Sequence, residues 1–302
     1  MTLEQSQARN CPQCGSSVDL PVDRLADTCA FCDTPMVAVQ AQSHRLDRVA
    51  PFVVDRTSAA KRLGVYLQDQ WLAPGEIRRS ARPSSLRGVL VPFWAYRAQT
   101  TSSYRARVGL YWYRTETTTV MVNGKPQVRT RQVRETEWFT VSGSHVASYR
   151  GHLVSGSKGI LETEANALEP FDLGSARDFR PDFLAGWIAE WPTVDHEHAR
   201  VVAQDELTEL ENHVIRHEFV PGDEVHGVEN RTQVKIDQVE LVMLPVWIAP
   251  YRRGEHVFRL LVNGQTGEVV GAVPRSRVKI SLLFAGVASM LLILTWMSGA
   301  IG

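Results

Sequence analysis

The sequence predicts an α+β protein, and three observations predict it. Two Cys-x-x-Cys knuckles open the chain, strand-patterned segments rich in Val, Thr, Tyr and Trp alternate with helical-period segments in the middle, and an uncharged apolar run closes it. The expected architecture is an N-terminal ribbon (residues 1–40), a helical connector (41–87), a strand-rich cytoplasmic α+β module with amphipathic helices (88–278) and a single C-terminal transmembrane helix (279–302).

The ribbon rests on Cys11-Pro-Gln-Cys14-Gly15 and Cys29-Ala-Phe-Cys32-Asp33, with fourteen residues between the knuckles. Two thiolates three positions apart can turn inward on one tight loop and occupy two corners of a tetrahedron; a second knuckle supplies the other two. Cys11, Cys14, Cys29 and Cys32 are therefore expected to hold one structural Zn2+, with Gly15 at the turn that needs a positive φ. A redox reading would use one such pair beside a βαβ unit, and here there are two. Val18, Leu20, Leu25 and Val37 are nearly the whole apolar inventory of residues 1–40, too little for a core without metal. Ribbons of this kind dock to protein or to nucleic acid. Arg9 and Arg24 face Glu4, Asp19, Asp23, Asp27 and Asp33 in this stretch, a poor footprint for phosphate, so a protein partner is expected and nucleic acid is not.

Arg48–Val54 reads as a short extended segment. Asp55, Thr57 or Ser58 can then cap a helix to about Trp71, with Leu63, Tyr66, Leu67 and Trp71 on one face. A basic helical turn with Arg78, Arg79 and Arg82 follows Pro74-Gly75. From Gly88 to about Val154 the pattern is strand, with Asn123-Gly124 as a hairpin signal; one face is polar, and Trp112, Trp138 and Phe139 are expected to pack on the other. Residues 156–194 read as a loop-rich linker. Asp195 to about Glu218 is the best helix, with Val202, Leu207, Leu210 and Val214 on one side. Strands resume at Val234–Tyr251, then a hairpin at Asn263-Gly264-Gln-Thr-Gly267. Pro92-Phe-Trp94 and Pro245-Val-Trp247 repeat a Pro-x-Trp step inside apolar strands, which raises the question of two related halves.

Ile280 to Met297 carries no charge, and Arg275, Arg277 and Lys279 stand just upstream. An apolar helix needs roughly 20 residues to cross a bilayer core. A single C-terminal span follows as the expectation, in a tail-anchored layout with no secretory signal peptide. The positive-inside rule then places residues 1–279 in the cytoplasm. The 33 basic and 33 acidic side chains cancel, so no global charge steers the chain toward nucleic acid.

Catalytic patterns are lacking. Gly151-His-Leu-Val-Ser-Gly156-Ser-Lys158 has P-loop glycine spacing, but its lysine is displaced by one residue. No Gly-x-Ser-x-Gly, His-Glu-x-x-His or Gly-x-Gly-x-x-Gly occurs, so neither an enzyme nor a small-molecule substrate is expected. Glu209, His213 and His217 recur every four residues on one helix face, where His198 and Glu218 are candidates to complete a second metal site; a solvated polar face is the plainer reading.

Several motifs in this order carry a family resemblance: the Cys11–Cys32 ribbon, Pro92-Phe-Trp94, Leu168-Glu-Pro170-Phe-Asp172, Pro181-Asp-Phe-Leu-Ala-Gly186, Leu244-Pro-Val-Trp247, Val262-Asn-Gly-Gln-Thr-Gly267 and Val273-Pro-Arg-Ser276. The chain resembles the bacterial TFIIB-type zinc-ribbon membrane proteins, some of which carry a primosomal-helicase name. The missing P-loop argues against that name. The resemblance implies a membrane-tethered adaptor or scaffold that recruits flotillin-like (SPFH) or phage-shock-type proteins. The competing class is a nucleic-acid-associated ribbon protein of replication or transcription held at the membrane.

Overall fold

The structure is a computed structural model. It describes residues 6–11, 13–21, 24–29, 32, 34–37, 46–70, 72, 86–122, 125–253, 256–273, 276, 279, 281, 284, 286 and 288–290. Four short strands come first: β1 (Ser6–Asn10), β2 (Ser17–Pro21), β3 (Arg24–Thr28) and β4 (Pro35–Val37). After β5 (Arg48–Val49) and helix α1 (Arg56–Asp69) come two long strands, β6 (Arg87–Val122) and β7 (Lys125–Ser155). Helix α2 (Glu162–Leu168), β8 (Arg177–Asp178) and β9 (Ile188–Glu190) occupy the expected linker. Helix α3 (His196–Val214) ends in a π-helical turn, Ile215–Phe219, before β10 (Glu224–Arg253), β11 (His256–Asn263) and β12 (Val269–Val270).

Ten of these strands form one mixed sheet in the order β12-β11-β10-β6-β9-β3-β4, with β7 on β6 and β5 linking β10 to β8. Strand accounts for 51% and helix for 26%, so the sheet, with helices as its cover, decides the fold class. This corrects the expected fold class, an α+β module with a ribbon and a transmembrane helix: the chain is strand-rich, with one large mixed sheet. Ribbon strand β3 pairs antiparallel with β9, Arg24 opposite Glu190 and Ala26 opposite Ala189, with a register shift between. The ribbon therefore extends the main sheet.

The transmembrane and tail-anchor expectations are corrected as well. Among the described residues no helix is long and apolar enough to cross a membrane. The single-pass placement with residues 1–279 cytoplasmic loses its structural basis with the span. Positions 291–302, Arg275, Arg277, the Arg78, Arg79 and Arg82 turn, Trp71 and the Asn123-Gly124 turn lie outside the described residues.

The chain divides into two compact units, Met1–Ala95 with Leu153–Ala199 and Glu240–Gly302, and Tyr96–His152 with Arg200–Val239. In the first, β6 and β10 are covered on both faces, which accounts for their near-continuous apolar runs. Val91, Phe93, Val242, Leu244 and Leu261 pack with Ala165 and Leu168 of α2. Trp247, Ala249, Leu260 and Val262 face Ala59, Ala60, Leu63 and Leu67 of α1. Leu63 and Leu67 are 1% and 0% exposed, and burial of each contributes about 1.5–3 kcal/mol.

The two Pro-x-Trp steps are held by matching hydrogen bonds. Gly156 N–H donates to Pro92 O at 2.9 Å, as Gly264 N–H does to Pro245 O at 2.8 Å. Trp94 Nε1 donates to Val194 O at 3.0 Å, and Trp247 Nε1 to Val54 O at 2.8 Å. Each acceptor precedes a helix-capping aspartate, Asp195 bonded by His198 N–H and Asp55 by Thr57 and Ser58 N–H. The carbonyls of Gly156 and Gly264 in turn accept from Thr193 and Val194, and from Val53 and Val54. Both glycines are needed for close approach: a Cβ on Gly264 would lie 2.7 Å from Pro245 O, and one on Gly156 2.9 Å from Pro92 O. Gly264→Ala is therefore expected to cost about 1–3 kcal/mol through forced backbone displacement. Thermal denaturation checks this; an unchanged Tm would show that the strand yields freely.

In the second unit, Ala106, Val108, Ile215 and Val220 form a small core. Trp112 and Phe139, expected to be packed, are 44% and 42% exposed. The reason is local: β10 begins at Glu224, where Asp223 N–H bonds Gly109 O and its carboxylate accepts from Tyr111 N–H. Beyond that point no third strand among the described residues continues beside the β6–β7 hairpin.

Candidate metal centre

The knuckles are built alike. The first joins β1 to β2 between the Asn10–Ser17 pair, and the second joins β3 to β4 between the Thr28–Pro35 pair. Both close on one bond from the first cysteine to the residue five positions on: Cys11 N–H to Ser16 O and Cys29 N–H to Thr34 O, each 2.8 Å. Gly15 has φ +71°, as the knuckle turn requires.

These loops bring all four sulfurs within 4.8 Å of one another. Cys11 Sγ lies 3.6 Å from Cys32 Sγ, and Cys14 Sγ 3.8 Å from Cys29 Sγ. A tetrahedral zinc with sulfur bonds of about 2.3 Å requires sulfur–sulfur edges of about 3.8 Å, so the quartet fits such an ion. None of the four is in a disulfide. Cys11 and Cys29 are buried, Cys32 is partly covered and Cys14 is exposed.

Local hydrogen bonding favours the thiolates that a metal needs. The Ser16 side chain, then its N–H, lowers the Cys14 thiol to about 6. A backbone bond from Cys14 lowers Cys11 most, against the opposing effect of burial. Thr34 Oγ1 lies 3.0 Å from Cys32 Sγ. Among the described residues, Val18 and Met36 complete the buried cluster around the sulfurs. Four protein ligands leave no coordination position for a substrate; a metal here cross-links the two knuckles.

The second predicted metal face does not converge. Glu209, His213 and His217 are exposed, and among the described residues the cysteine quartet is the group whose ligand atoms come together. The His213 and His217 rings lie 4.4 Å apart between centroids. The side of α3 that is buried in the second unit is instead Ala203, Leu207, Glu211 and the following Ile215.

Glu211 is the polar residue that the sequence reading missed. It is 0% exposed and sits among four partners. Thr100 Oγ1 donates to Oε1 at 2.8 Å, Ser102 Oγ to Oε2 at 2.9 Å and Tyr149 OH to Oε1 at 2.5 Å, while His145 Nδ1 lies 2.9 Å from Oε2. Burial acts to raise its pKa, but the bonds from Tyr149, His145, Thr100 and Ser102 outweigh it and hold the carboxyl below its ordinary value. Its position, four residues from both Leu207 and Ile215, was the available signal: a glutamate in an apolar row.

Comparison with known proteins places these features in context. The chain is 26% identical over 250 residues to a protein named "Uncharacterized protein YdjG" from Bacillus subtilis (strain 168), a match covering 80% of this chain and 67% of that protein. An alignment of that length extends well beyond a 40-residue ribbon, so the similarity includes much of the sheet. No family model matches the chain, and no solved structure matches it.

Proposed function

We propose that this chain is a non-enzymatic, protein-binding adaptor or scaffold, stabilised by one structural zinc held by Cys11, Cys14, Cys29 and Cys32. The observation that carries the reading is the ribbon's placement: four sulfurs at tetrahedral spacing can close a coordination shell, while β3 behind them pairs with β9 on the edge away from β4. A closed thiolate site serves shape, and a ribbon already paired to protein through its backbone is suited to presenting a protein-binding surface. The acidic balance of residues 1–40 points away from phosphate. The resemblance to TFIIB-type zinc-ribbon proteins supplies the partner class, a flotillin-like or phage-shock-type protein.

Crosslinked capture from cells with the full chain as bait tests this. The expected result is a flotillin-like or phage-shock-type protein recovered with the wild type and depleted with Cys29→Ser. Equal recovery by both would remove the ribbon from the contact, and absence of that class would overturn the partner assignment. A submicromolar DNA or RNA complex at physiological salt, abolished by Cys29→Ser, would establish the nucleic-acid role instead.

A further inference from the structure

Among the described residues, strand β7 presents an edge without a partner. It runs 31 residues, Lys125–Ser155, and its pairing there is with β6. A long strand with one open row of N–H and C=O groups is a template for another strand, and proteins either block such an edge or use it. Pro126 near the start of β7 removes one donor, while the remainder of the strand to Ser155 contains no other proline.

The residues along this edge are complementary to themselves. Residues 128–138 read Val-Arg-Thr-Arg-Gln-Val-Arg-Glu-Thr-Glu-Trp. If two copies of β7 pair antiparallel about a two-fold axis at Val133, Arg129 falls opposite Glu137 of the other copy and Arg131 opposite Glu135. Thr130 meets Thr136, Val128 meets Trp138, and Val133 meets itself. Opposite charges and threonine pairs placed directly across an antiparallel ladder are favourable, and like charges there are unfavourable. The symmetry forms each charge pair twice.

The ion pairs already within the hairpin extend the pattern. Arg131 bonds Glu116 at 2.8 Å, and Glu135 accepts from Arg114 at 2.9 Å. Across the strands β6, β7 and β7 of a dimer, the row reads Glu116, Arg131, Glu135, with charges alternating, while Arg114 reaches the same Glu135 diagonally from within its own hairpin. Arg129 and Glu137 are exposed and take no part in an ion pair among the described residues. Val128, 68% exposed in the single chain, gains the Trp138 ring of the other copy as cover.

We infer that the protein forms a two-fold dimer through the β7 edge, in the register centred on Val133. This interface is independent of the zinc ribbon, and it doubles whatever binding surface each chain presents.

Sedimentation equilibrium on the full-length protein, with circular dichroism as the folding control, tests it. Wild type is expected to dimerise. Arg129→Glu alone and Glu137→Arg alone should each weaken the dimer on the order of tenfold or more, because each puts like charges opposite one another at two symmetric positions. Arg129→Glu combined with Glu137→Arg should restore it, which separates loss of charge pairing from loss of folding. The register has its own check: Val133→Cys should give a reducible dimer on mild oxidation, and Arg129→Cys should not, since its two copies would lie eight residues apart along the ladder. A monomeric wild type at tens of micromolar, a dimer indifferent to the single reversals, or a double variant that stays monomeric while folded would overturn the inference.

Discussion

Full-length protein purified under reducing conditions without chelator is expected to carry about one zinc per chain, and Cys29→Ser to carry none. Structural zinc is worth roughly 10–16 kcal/mol to small ribbon and finger peptides at neutral pH, which makes this the largest single effect expected of one substitution. Its reach depends on how the ribbon is attached. Among the described residues Cys11, Cys29, Val18 and Met36 form the buried cluster, so the metal ligands are central to what holds β1 to β4 together. Strand β3, however, is also bonded to β9, where Ala26 and Ala189 are 1% and 0% exposed. Loss of zinc should therefore raise amide exchange across residues 6–37 and spread to Ile188–Glu190, while α1 and the β10–β11 pair keep their protection. Metal analysis by plasma mass spectrometry and hydrogen exchange read the two parts separately. A zinc-free wild type would remove the metal assignment; a zinc-free Cys29→Ser with unchanged exchange at β9 would show that the sheet edge stands without the ribbon.

What the sequence revealed follows the range of the interactions. The knuckles are local, each a three-residue spacing on one turn, and the residues that signal them are the residues that make them. Asp55 capping α1 and the Asn263–Gly267 hairpin are equally local. The β3–β9 pairing joins residues more than 160 positions apart, and nothing in Arg24–Thr28 announces which strand it will meet. The Pro-x-Trp echo was visible as a strand motif, but its other half was not. Asp195 follows its strand in the chain whereas Asp55 precedes its own, so the matching helix starts are out of sequential order. The apolar run from Ile280 signalled a span from hydropathy, which reports composition alone; among the described residues no helix is long and apolar enough to cross a membrane. Trp112 and Phe139 misled because alternation identifies a face without saying whether anything covers it.

Replacing Glu211 by Gln is expected to destabilise the second unit by roughly 3 kcal/mol, within the range for disrupting a buried, fully bonded charge. A glutamine keeps one acceptor oxygen for Thr100 and Tyr149 but sets an NH2 against the Ser102 hydroxyl and the His145 ring nitrogen. The pH dependence has a definite sign. The folded carboxyl titrates below its unfolded value of about 4.3, so between the two the unfolded chain binds more protons and stability rises with pH. The contribution of Glu211 is complete above about pH 4.3 and is lost as pH falls through the folded value. Tyr149 bounds the other side: burial first, then the bond to Glu211 and its charge, raise the phenol above its ordinary value of about 10. Its contribution is complete below about pH 10 and is lost as pH rises further. With two units in the chain a single unfolding free energy is not well defined. Hydrogen exchange at residues 96–108 and 200–215, measured from about pH 2.5 to about pH 7 after correction for the intrinsic rate, is the appropriate reading. Protection in the wild type should fall toward the acid end, and Glu211→Gln should be less protected at neutral pH with a flatter acid dependence. If the variant instead kept the wild-type acid dependence, the proton responsible would belong to another group, and the four bonds to Glu211 would be packing without linkage.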